Sequence, residues 1–156
     1  MIEQIINFLL KNNKTISFAE SCTGGSLSSL ITKVPGASKV FNGSIVSYSH
    51  YSKTEILKVD KEKINKYSAV SQEVAIEMAI NVREQFKTDY SISITGNAGP
   101  TTDGIKSKVG DYYVAISHSE GIYTQYNNFF TNNRDEFIQV SVSESIKLFI
   151  DKIIKQ

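Results

Sequence analysis

Apolar side chains recur at helical spacing through the first dozen residues. Ile2, Ile5, Ile6, Leu9 and Leu10 predict an amphipathic helix over 2–12. The period then changes. Thr15-Ile16-Ser17-Phe18 predicts a short strand, and 25–33, with Leu27, Leu30 and Ile31, predicts a helix stopped by Pro35-Gly36. Residues 43–48 form a second strand rich in β-branched side chains. A short helix over 50–57 and a polar helical turn or two over 60–67 follow. Ser71 is placed to cap a helix whose stripe is Val74, Met78, Val82 and Phe86. Residues 90–95 are a third strand, followed by the loop Gly96-Asn97-Ala98-Gly99-Pro100, which runs on to Lys108. Residues 109–117 and 121–130 read as a hairpin joined at His118-Ser119-Glu120. A helix from about Asp135 to Lys152, capped near Asn132 or Asn133, closes the chain.

Strands separated by helices imply βαβ units. The expected fold is one α/β domain over 1–156, a three-layer α/β/α sandwich. Its sheet is mostly parallel, of about five strands, with one antiparallel strand from the hairpin. Ser21 follows the first strand, Tyr48 ends the second and Thr95 ends the third. In parallel strands all three emerge on one edge, where ligands of open α/β sheets bind.

Composition narrows the function classes. Seventeen basic and sixteen acidic residues give a formal net charge of +1 with no long block of one sign, which argues against nucleic acid or an anionic membrane as partner. One cysteine excludes an internal disulfide and a cysteine-based zinc site, and His50 and His118 lie far apart, so no metal is expected. No apolar run approaches the roughly 20 residues of a membrane span. The N-terminal segment reads as a mature amphipathic helix, and the expected location is cytoplasmic.

The chemistry concentrates in Ala19-Glu20-Ser21-Cys22-Thr23-Gly24-Gly25, a strand–turn–helix junction. Glycines admit close backbone approach, and a new helix offers free N–H groups to an anion or oxyanion. Ser21 is the candidate nucleophile and needs a base. His50 and Lys53 both lie near Tyr48 in sequence, whereas His118 falls at the far end of a hairpin strand. Lysine serves as a base only if burial or charge lowers its pKa. Plainer readings stand beside these: Ser21 and Thr23 as turn and cap residues, Cys22 as buried filler, Glu20 as a charge near a helix start, and Arg134 as an interface ion-pair partner.

The runs AESCTGG, VPGAS (34–38), NGSIVSYSHYSK (42–53), AVSQEVAIEMA (69–79) and SITGNAGP (93–100) together resemble the CinA C-terminal domain family, which includes nicotinamide-nucleotide amidases. The resemblance covers nearly the whole chain. It implies hydrolysis of the carboxamide of nicotinamide mononucleotide, with Ser21 as nucleophile assisted by Lys53 and Tyr48 and with no cofactor. Glu20, the Cys22-Thr23-Gly24-Gly25 turn, Thr95, Gly96, Ala98 and Gly99 are expected around the substrate, with Arg134 offered to its phosphate. A homo-oligomer, dimer or dimer of dimers, is expected, in a stand-alone form without the larger N-terminal domain of many relatives. The loop after Pro100 departs from the family's glycine-rich pattern: Lys108 stands at a proline position and Ser107 at a lysine. Ile138 stands where a second arginine is usual. The alternative is a nucleotide-binding or interaction domain that keeps the fold and has lost the chemistry.

Overall fold

The computed structural model describes residues 1–156. Helix α1 (Ile2–Asn12) buries Ile5, Ile6 and Leu9 and ends at Asn13 in the left-handed region. Strand β1 (Ile16–Glu20) leads through a turn into α2 (Ser26–Thr32). Strand β2 (Phe41–Val46) is followed by a π-helical turn at Ser52–Ile56 and by α3 (Lys61–Tyr67). Helix α4 (Gln72–Phe86) is capped by Ser71, whose hydroxyl accepts from the Val74 N–H. Strands β3 (Tyr90–Gly96), β4 (Asp111–His118) and β5 (Gly121–Asn128) precede α5 (Arg134–Phe149), which runs on through a π-helical turn to Ile154. The Asn133 side chain caps α5 by accepting from Asp135 and Glu136 N–H groups.

The sheet order is β2-β1-β3-β4-β5. Strand β1 pairs parallel with β2 and β3, and β4 is antiparallel to both its neighbours. Four strands therefore run one way and β4 the other, as the βαβ pattern and hairpin predict. Both faces are covered. Helices α1, α2 and α5 pack one face around Phe18, Ile92, Ile94, Phe137 and Phe149; α3 and α4 pack the other around Val59, Ile64, Val74, Met78 and Val82. Every residue of β1 is buried, as expected of a parallel strand between two layers. No helix is long and apolar enough to cross a membrane.

Helix α4 approaches the sheet closely because small residues line the contact. Ser91 and Ser93 Oγ donate to Ala79 and Ala75 carbonyls at 2.6 Å each, and Thr95 Oγ1 donates to Ala69 O at 2.8 Å. These hydroxyls are fully buried and satisfied by helix carbonyls, which removes their desolvation cost.

Some boundaries move. Strand β2 stops at Val46, so Tyr48 lies beyond it and not at its end. The ladder extends only one bond further, Ser47 N–H to Glu20 O at 2.8 Å. The hairpin strands are shorter at their open ends than the pattern predicts, and His118 belongs to β4.

Candidate active site

The register fixes the site. Glu20 pairs with Val46 on one side and Ile94 on the other. Strands β1 and β2 thus end level, β3 runs two residues further to Gly96, and Ser21 N–H donates to Ile94 O at 2.9 Å. A pocket opens there. Its walls include Ser21, Cys22, Tyr48, Lys53, Thr95, Gly96, Ala98, Gly99 and Arg134 among the expected residues.

Lys53 enters from the π-helical turn with its ammonium group almost completely buried, at 2% exposure. Its Nζ lies 2.8 Å from Ser21 Oγ and donates to Ser47 O at 2.8 Å. Burial strips hydration from the charged form and lowers the Lys53 pKa to about 8, against the smaller opposing influence of Cys22 and Asp103. Ser21 itself is 7% exposed. Cys22 lines the pocket beside it, but burial pushes its thiol up to about 12, so it stays protonated and poorly nucleophilic.

Four expected contact residues lie outside the pocket. Glu20 is fully buried and turns back onto α2. Its carboxylate accepts from Leu27 N–H at 3.0 Å, Ser28 N–H at 2.8 Å, Ser28 Oγ at 2.6 Å and Thr23 Oγ1 at 2.7 Å. The expectation that the α2 N-terminus serves a ligand is therefore corrected: Leu27 and Ser28 N–H are taken by Glu20 and Ser26 N–H by Thr23 O. Thr23 is spent on the same carboxylate, and Gly24 and Gly25 supply positive φ, 57° and 97°, for the turn. The N–H groups of Cys22 and Thr23 have no acceptor within the chain.

Tyr48 is 60% exposed and forms no hydrogen bond with Lys53 or Ser21. Arg134 Nη2 donates to its hydroxyl at 3.1 Å, and Arg134 Nη1 donates to Gly99 O. Arg134 thus joins two pocket walls. Gly96 and Thr95 are also in the wall, yet their roles there are packing roles. A Cβ on Gly96 would lie 2.6 Å from Tyr112 Cβ, and Thr95 Oγ1 is bound to Ala69 O.

His50, weighed above only as a base for Ser21, also lines the pocket, as do Asn97 and Asp103, which the sequence did not single out. They meet because loop 101–108 folds back over the pocket; residues so far apart in sequence carry no local signal. Burial pushes the Asp103 carboxyl up, but hydrogen bonds from His50, Ala69 and Ser68 outweigh it and hold the group below the usual aspartate value. No group of three His, Cys, Asp or Glu side chains is arranged to hold a metal ion.

Comparison with known proteins agrees with this architecture. A CinA-like protein of Flavobacterium psychrophilum is 41% identical over 155 residues, covering 99% of this chain and 37% of that protein. A CinA-like protein of Prochlorococcus marinus is 45% identical over 141 residues, covering 89% of this chain and 33% of its own length. The chain thus spans 37% and 33% of these relatives. A solved structure of a competence-damaged protein (CinA) superfamily protein from Escherichia coli superposes with a TM-score of 0.91 at 28% identity, over 96% of this chain and 86% of that one. A competence/damage inducible protein from Agrobacterium tumefaciens superposes equally well, 0.91 at 26% identity, over 96% and 92%. The family model for the CinA C-terminal domain matches residues 1–153, and the chain belongs to that family.

Proposed function

We propose that this chain is an amidohydrolase that converts the carboxamide of nicotinamide mononucleotide to the carboxylate, releasing ammonia. The observation that carries the reading is the buried Lys53 Nζ at 2.8 Å from Ser21 Oγ. A lysine pulled down to about 8 has roughly a tenth of its population neutral at pH 7, which is enough for a general base.

Neutral Lys53 takes the Ser21 proton as Oγ bonds to the amide carbon. The carbonyl oxygen becomes an oxyanion, which the free N–H groups of Cys22 and Thr23 are available to stabilise. Lys53 returns the proton to the amide nitrogen, the C–N bond breaks, and ammonia leaves an acyl ester on Ser21. Water then attacks that ester as Lys53 accepts its proton, the bond from the acyl carbon to Ser21 Oγ breaks, Lys53 returns the proton to Oγ, and the acid product leaves. Arg134 and the N–H groups of the Ala98–Gly99 segment are the donors we assign to the substrate phosphate. Tyr48 we assign to the wall beside Arg134, because its hydroxyl bonds there and not to Lys53.

Ammonia release from nicotinamide mononucleotide by the wild type and by Ser21→Ala tests the reading. Release by the first and not the second is expected. Nucleotide binding without release by either protein would favour the binding-domain alternative.

A further inference from the structure

Besides Lys53 at the reacting serine, the pocket is charged at two separated points, Asp103 and Arg134. Asp103 is the only carboxylate in its lining. His50 Nε2–H donates to Asp103 Oδ1 at 2.7 Å, Ala69 N–H to Oδ2 at 3.0 Å, and Ser68 Oγ reaches Oδ2 at 3.3 Å. The Asp103 N–H donates to Asn97 Oδ1 at 3.0 Å. These bonds fix the carboxylate between the segment after β2, the α3–α4 junction and the loop after β3. Asp103 nevertheless keeps 34% of its side chain exposed.

A negative charge in this position opposes the proposed chemistry unless the substrate answers it. Serine attack develops an oxyanion, and a nearby carboxylate raises its energy. A cation in the bound substrate removes that penalty. The ring of a pyridine mononucleotide is such a cation: its nitrogen is quaternary and can neither donate nor accept a hydrogen bond, so charge is one of the few handles it offers. Arg134, tied to Gly99 and Tyr48, holds the opposite sign on another wall. Carboxylate on one wall and guanidinium on the other match a zwitterion with a cationic ring and an anionic tail.

We propose that Asp103 is the residue that selects a positively charged ring, so that the site takes N-substituted pyridinium carboxamides and discriminates against the same amide on an uncharged ring. This rests on the amidase reading above and names the residue that sets its preference for ring charge.

The test compares oxidised and reduced nicotinamide mononucleotide, which share amide, ribose and phosphate and differ in ring charge. Their dissociation constants are measured by calorimetry on Ser21→Ala protein, alone and combined with Asp103→Asn or Asp103→Glu. All binding is measured at one fixed pH. Ser21→Ala is expected to bind the oxidised form about fivefold or more tightly than the reduced one, and Asp103→Asn to abolish that preference while changing affinity for the reduced form by less than about twofold. Asp103→Glu should restore part of the preference. Asparagine keeps an acceptor for the Ala69 N–H, so the loop stays tied; a purely structural role would weaken both ligands equally. Equal affinities, a preference that survives Asp103→Asn, parallel loss of both ligands, or binding of neither overturns the proposal. Ammonia release by the wild type judges the amidase reading separately.

Discussion

Lys53 Nζ and Ser21 Oγ stand 2.8 Å apart in a site where Lys53 is 2% exposed, so the only strong base within reach of the serine is one that burial has weakened as a cation. The rate should follow the neutral form. We expect kcat/KM for ammonia release to rise with pH along a single limb centred near 8 and to flatten above it. A rate that stays flat through this range would overturn Lys53 as the base.

Lys53→Met separates chemistry from stability. Turnover should fall to background, since no base remains beside Ser21. Folding should not suffer. Lys53 has a folded pKa of about 8, lowered from 10.5, so between these values the unfolded chain binds more protons and stability rises with pH. Below pH 8 the cost of burying the charge is present in full, on the order of 3 kcal/mol net of the contacts Lys53 makes. Lys53→Met should therefore unfold at higher denaturant than the wild type at pH 7. It should also lack the wild type's gain in stability from pH 8 to pH 10.5. Urea titrations at three pH values check both points.

Much of the fold was readable because period and punctuation agree. Helical stripes, Pro35-Gly36 and the Ser71 cap marked the elements, and the βαβ order fixed the parallel core. The Ser91-Ile92-Ser93-Ile94-Thr95 alternation announces a strand, but not that its hydroxyl face is dry. That depends on Ala75 and Ala79 letting α4 sit close enough for carbonyls to accept from the serines. The site was legible where a family motif named residues, as for Ser21 and Lys53. It was not legible where a side chain reaches across the fold. No local pattern tells a strand-terminal glutamate to bond residues seven and eight positions on, as Glu20 does with Leu27 and Ser28. Nor does any pattern announce His50 and Asp103, 53 positions apart, as pocket partners.

Glu20 gives a prediction that distinguishes scaffold from site. Its carboxylate serves four donors in a fully buried position, and removal would leave the α2 N-terminus and Thr23 unpaired. Glu20→Ala should lower stability by about 3 kcal/mol. At a temperature where the variant stays folded, KM should remain close to that of the wild type, because Glu20 touches no pocket surface. A raised KM with unchanged stability would return Glu20 to the substrate.

Tyr48 and Arg134 decide how the second wall works. A proton relay through Tyr48 would require its hydroxyl at Lys53 or Ser21; it is instead the acceptor of Arg134 Nη2 at 3.1 Å. Tyr48→Phe should then loosen the guanidinium, raising KM severalfold while kcat stays within about threefold of wild type. Arg134→Ala should raise KM by about tenfold or more for a phosphate-bearing substrate, and much less for the same amide without phosphate. Steady-state kinetics with the mononucleotide and its dephosphorylated nucleoside separate the cases. A fall in kcat of about a hundredfold in Tyr48→Phe at unchanged KM is the signature of lost acid–base catalysis, and it would put the hydroxyl back on the proton's path.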